Sequence, residues 1–108
     1  MGANLTQAAE KVLGEIYAAY LDRRSEGFSK NSAMDFSDQT NWPDPDWRTE
    51  DGEEALNELS HAKLIQKDIL GGFTLTNSAI IYMENRFKDG VSGFLEWLGK
   101  IRQAIPFV

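Results

Sequence analysis

The chain has 108 residues, no cysteine, 42% hydrophobic residues and a formal charge of −6, with a sequence pI of about 4.7. That length suits a single domain, 1–108, with one modest core; the composition excludes disorder, a disulfide scaffold, thiolate zinc sites and a cysteine nucleophile. The acidic balance repels nucleic acid and anionic membrane at long range, so DNA binding would need a local grouping of the eleven Lys and Arg residues.

The opening MGANLTQAAEKV has no basic n-region and no apolar h-region, so no secretory leader is expected. No apolar run approaches the roughly 18 residues that span a bilayer. The expectation is a cytoplasmic protein with no membrane contact, and the lack of cysteine suits a reducing compartment.

From Leu5 to Arg24, apolar residues Leu5, Ala9, Val12, Leu13, Ile16 and Tyr20 recur every three or four positions. This spacing predicts a helix with one buried face. Asn4 with Gln7 reads as its capping box, and Gly27 after Arg23-Arg24 as its stop. Ser29 to Phe36 reads as a short second helix with Ala33 and Phe36 inward. Ser37 to Arg48, SDQTNWPDPDWR, reads as loop: two prolines, four Asp or Asn residues and no period.

Thr49 or Asp51 then caps a third helix reaching about Ala62, with Ala55, Leu56, Leu59 and Ala62 on its apolar side. Its early acids suit the positive end of the helix dipole. Leu64 to Ile69 reads as a strand paired with Phe73 to Leu75, and Gly71-Gly72 supplies the positive-φ turn between them. Thr76 caps a helix carrying Ala79, Ile80, Met83 and Phe87, and Asp89-Gly90 ends it. A last amphipathic helix runs from Val91 to Ile105 and stops at Pro106.

The order helix, short helix, helix, hairpin, helix resembles a winged-helix domain. Leu75-Thr76-Asn77-Ser78-Ala79-Ile80-Ile81-Tyr82-Met83-Glu84 is similar to the LT-x-x-G-x-x-Y-L-E signature that follows the wing in small bacterial and phage winged-helix proteins. The YjcQ-type group has a similar size and layout. Ala79 stands where the signature prefers Gly, and the link before the third helix exceeds the tight turn of a helix-turn-helix. The resemblance implies an α+β, mainly helical fold with a two-stranded wing and an extra C-terminal amphipathic helix. Function does not follow from fold alone.

If the third helix is a recognition helix, a step of about 100° per residue puts Glu50, Glu53, Glu54, Asn57 and His61 outward. Only Asn57 and His61 offer base-edge donors, and the nearest cations are Lys30, Lys63 and Lys67. The plain alternative is a solvated acidic face. Trp42 and Trp47 flank Pro43-Asp44-Pro45-Asp46. They read either as an exposed partner-binding pair or as rings folded back over the core.

The loop acids fail the calcium-loop pattern: from Asp44, Arg48 falls on a ligand position and Ala55 where the bidentate Glu belongs. His61, the lone histidine, has no evident nucleophile, and Glu58 three residues earlier is an ordinary surface neighbour. No motif carries catalysis, so neither an enzyme nor a cofactor is expected. The expected function is a binding module engaging a protein partner through Trp42, Trp47, Glu50, Glu54, Asn57 and His61. The alternative is a DNA-binding transcriptional regulator contacting DNA through Lys30, Asn57, His61, Lys63 and Lys67. Val91, Phe94, Leu95, Leu98, Ile101 and Ile105 form a stripe that suits either a homodimer across a two-fold axis or packing on the chain's own first helix.

Overall fold

The computed structural model describes residues 5–104. Helix α1 (Gln7–Ser25) opens at Thr6, whose hydroxyl oxygen accepts from the Ala9 N–H. Thr6, not the expected Asn4, is therefore the cap; Asn4 lies outside the described residues. The Glu58 carboxylate fastens this cap, accepting from the Thr6 N–H at 2.6 Å and its hydroxyl at 2.8 Å. Glu58 thus ties the third helix to the first. At the far end the Phe28 N–H reaches the Arg23 carbonyl and the Gly27 N–H that of Arg24, a hydrogen-bonded stop with Gly27 at φ +97°.

Ser29 caps α2 as expected, but α2 (Lys30–Ala33) lasts one turn. Asp35–Phe36 is a strand, β1, rather than the end of a helix. Phe36 is inward as expected, through cross-strand pairing: it sits opposite Phe73 in register, with the rings stacked at 5.1 Å. The sheet therefore has three antiparallel strands in the order β1-β3-β2, with β2 at Ile65–Lys67 and β3 at Phe73–Leu75. The expected hairpin is its β2-β3 part. Two short 3-10 turns, Gln39–Asn41 and Pro45–Arg48, organise the segment read as loop.

Thr49, the first of the two expected caps, opens α3 (Glu50–His61) by accepting from the Gly52 N–H. Ala55, Leu56 and Leu59 are buried. Thr76 opens α4 (Asn77–Arg86), and α5 (Val91–Ala104) completes the described chain. The product is an α+β fold, mostly helical, with a small antiparallel sheet.

Helix α5 decides what the apolar stripe does. Phe94 and Leu98 are 1% exposed and Ile101 9%, all within the chain's own core. A Cβ on Gly14 of α1 would lie 2.8 Å from the Trp97 ring and 2.9 Å from a Leu98 methyl. The two helices approach that closely because Gly14 has no side chain. Ion pairs from Arg102 to Glu15 and from Arg86 to Glu10 flank the contact. The stripe is thus core rather than a free dimer face: only Val91 and Leu95 stay half-exposed, and Ile105 lies outside the described residues.

Candidate functional site

Helix α3 runs beside the β2-β3 hairpin, and its outward side forms the candidate face. Glu50, Glu53, Glu54, Asn57 and His61 are all exposed, as the helical period requires once Leu56 and Leu59 point inward. Glu50, Asp51 and Glu53 lie in the first turn, where the helix dipole favours negative charge. This concentrates carboxylate at one end of the face and leaves Asn57 and His61 toward the other.

Asn57 has a partner. Lys67 on β2 donates from Nζ to the Asn57 Oδ1 at 2.7 Å, so two candidate DNA contacts are bonded to each other. Lys63 follows α3 in the left-handed region at φ 65°. The Lys63 N–H donates to Ser60 and the Leu64 N–H to Leu59, closing the helix end. The Thr76 hydroxyl reaches the carbonyls of Lys63 and Leu64 at 2.9 and 3.0 Å. Lys63 and Lys67 line a shallow groove of about 290 Å³ with Ile65, Gln66 and Thr76.

Arg23, Arg24 and Lys30 lie across the sheet from these two lysines. Arg23 donates to the carbonyls of Ala33 and Asp35, the latter on β1, and covers the Phe36 ring at 4.2 Å. Arg24 donates to the Phe28 carbonyl, and Lys30 begins α2, just before β1. Strand β3 separates this group from Lys63 and Lys67 beside β2. The fold does not gather Arg23, Arg24, Lys30, Lys63 and Lys67, the set a DNA-binding face would need, on one edge.

Trp47 cannot be a surface anchor. It is 2% exposed and packs 6.4 Å from Phe73 and 6.0 Å from Trp42 between ring centroids. Trp42 is half-buried, 5.4 Å from Phe73, and its indole N–H donates to the Phe36 carbonyl at 2.9 Å. Of the two readings of this Trp pair, the rings folded back over the core are what the structure shows, a lid over the sheet to which the ring of Phe73 offers apolar area. Trp47 leaves the candidate partner-binding set.

Two residues stand out at the hairpin: Ile69, read from the sequence as the end of a strand, and Leu70. Ile69 is 100% exposed and Leu70 87%, because β2 ends at Lys67 and both residues form the turn. Asp68 sets that turn: its Oδ1 accepts from the Leu70 and Gly72 N–H groups, and its carbonyl accepts from the Gly71 N–H. Asp68 three residues ahead of Gly71 was the available signal. Asp35 and Asp38 also hold turns. The Ser37 hydroxyl and N–H lower the pKa of Asp35, and the Thr40 hydroxyl and N–H lower that of Asp38.

Among the described residues, no group of three or more His, Asp or Glu side chains is placed to hold a metal ion, and no helix is long and apolar enough to cross a membrane. No family model, curated protein or solved structure matches the chain.

Proposed function

We propose that this chain is a winged-helix binding module whose α3 face engages a positively charged region of a protein partner. The element order α1, α2, β1, α3, β2, β3, the strand order β1-β3-β2 and the hairpin after α3 support the winged-helix reading. One observation carries the choice of partner. The outward side of α3 presents Glu50, Glu53 and Glu54, and its one amide, Asn57, is held by Lys67. Carboxylates in that position face phosphates unfavourably and lysine or arginine favourably. A chain without cysteine suits work in the cytoplasm.

The DNA-regulator reading draws on Lys63 and Lys67 beside the groove at β2. It is the weaker reading because Lys30, Arg23 and Arg24 lie toward the other sheet edge. A photo-reactive residue at Asn57, with one at Lys88 as control, tests the choice in extracts of the source cell. The protein-partner reading expects a discrete, nuclease-resistant adduct at 57 alone that salt weakens. A nuclease-sensitive adduct at 57 would transfer the assignment to DNA.

A further inference from the structure

The hairpin carries an anomaly that the α3 reading does not use. Its turn is ordered by four hydrogen bonds around Asp68 and Gly72, yet it presents Ile69 and Leu70 to solvent almost completely. Ordering a turn to hold two large aliphatic side chains in water gains nothing for folding, since neither is covered by its own chain. Beside the same turn is a cleft of about 260 Å³. Its floor is Trp42, Trp47 and Leu56, its rim holds Arg48, Glu53 and Lys67, and Gly71 forms one side.

We propose that a second copy of this chain fills that cleft: each hairpin tip inserts Ile69 and Leu70 into the cleft beside its partner's hairpin turn, and the exchange is reciprocal. Lys67 and Gly71 of the hairpin line the cleft, so hook and hole lie side by side and a two-fold axis between two copies makes both contacts at once, as an isologous interface requires. The cleft has room for the ends of two aliphatic side chains above an aromatic floor. Charge matches as well. Both turn bonds of the Asp68 carboxylate fall on Oδ1, and its Oδ2 faces no partner among the described residues. The cleft it would approach is rimmed by two cations, Arg48 and Lys67, against one acid, Glu53. The contact is smaller than a standard stable interface, so dissociation on the order of 10⁻⁴ M is expected.

Sedimentation velocity from about 10⁻⁵ to 10⁻³ M protein tests this across the expected constant, at roughly 0.15 M salt to screen the acidic charge. The mass should rise from 12.2 kDa toward twice that value, with tryptophan emission shifting over the same range as Trp42 loses water. The double variant Ile69→Ser/Leu70→Ser should stay at the single-chain mass with an unchanged melting temperature, and Arg48→Glu should weaken pairing at least several-fold. A wild type that stays at 12.2 kDa throughout would overturn the proposal. So would a dimer that survives in the double variant, or one abolished by Val91→Ser/Leu95→Ser instead. The α3 reading is tested separately, because none of these substitutions alters Glu50, Glu54 or Asn57.

Discussion

The 37–48 segment and the hairpin turn invert the usual relation between irregular chain and exposure. The first contains two prolines and no apolar period, yet buries Trp47 to 2% exposure and uses the Trp42 indole to satisfy the Phe36 carbonyl. The second connects two regular strands and leaves Ile69 and Leu70 in solvent. The difference lies in what each segment can reach. The tryptophans find Phe73, itself paired with Phe36, whereas the side chains of Ile69 and Leu70 stand in solvent, clear of the core. Burial follows the available partner surface, not residue type or secondary structure.

The two segments also touch. A Cβ on Gly72 would lie 2.4 Å from the Cα and carbonyl oxygen of Ser37, and one on Gly71 would lie 2.5 Å from the Gln39 side chain. Gly71 supplies the positive φ, at +97°. Gly72 is needed because backbone passes against backbone. The expectation that Gly71-Gly72 supplies the turn conformation divides into two separate requirements.

The largest effect should come from removing the lid. Trp47→Ala is expected to cost about 3–5 kcal/mol by opening a cavity over Phe73, a large share of a domain's usual stability. Chemical denaturation measures it, and a loss below about 1 kcal/mol would mean that the 37–48 segment is not core. Next comes the contact between the regions. Gly72→Val should cost about 1–3 kcal/mol because the Ser37 backbone must retreat, and an unchanged melting temperature would show that the two segments do not meet there.

A smaller effect is expected from the turn carboxylates. Asp35 and Asp38 have lowered folded pKa values, so their contribution is present above the unfolded carboxylate value of about 3.9 and is lost as pH falls through the folded values. The stability gap between wild type and Asp35→Asn/Asp38→Asn should be steady near neutrality and close in acid. A gap that widens in acid would reverse the assignment. The smallest effect belongs to the tip: in the single-chain state, Ile69→Ser and Leu70→Ser should leave the melting temperature unmoved, since neither side chain is buried.

Local chemistry made much of the fold legible. Thr49, Thr76, Ser29 and Gly71 act where their side chains or lack of one predict, and the 3.6-residue period of α3 correctly assigns its inward and outward residues. Strand β1 was illegible because two residues carry no period; what makes it a strand is β3, almost forty positions later. The burial of Trp47 was open for the same reason. The hairpin tip was misplaced because β2 ends at Lys67, short of the strand read to Ile69, and the side chain of Asp68, rather than the glycines alone, sets where the chain turns. On the candidate face, sequence identified the acids but not the Lys67–Asn57 bond, which depends on how β2 returns beside α3.

Titration of a random-sequence duplex at several salt concentrations tests the central claim most directly. If α3 presents an acidic surface made for protein, wild-type affinity at physiological salt should be weaker than the usual non-specific range of about 10⁻⁴–10⁻⁶ M. Glu50→Lys/Glu53→Lys/Glu54→Lys should then create affinity with a clear salt slope. Wild-type binding within that range, with a slope of several released counterions, would contradict the account.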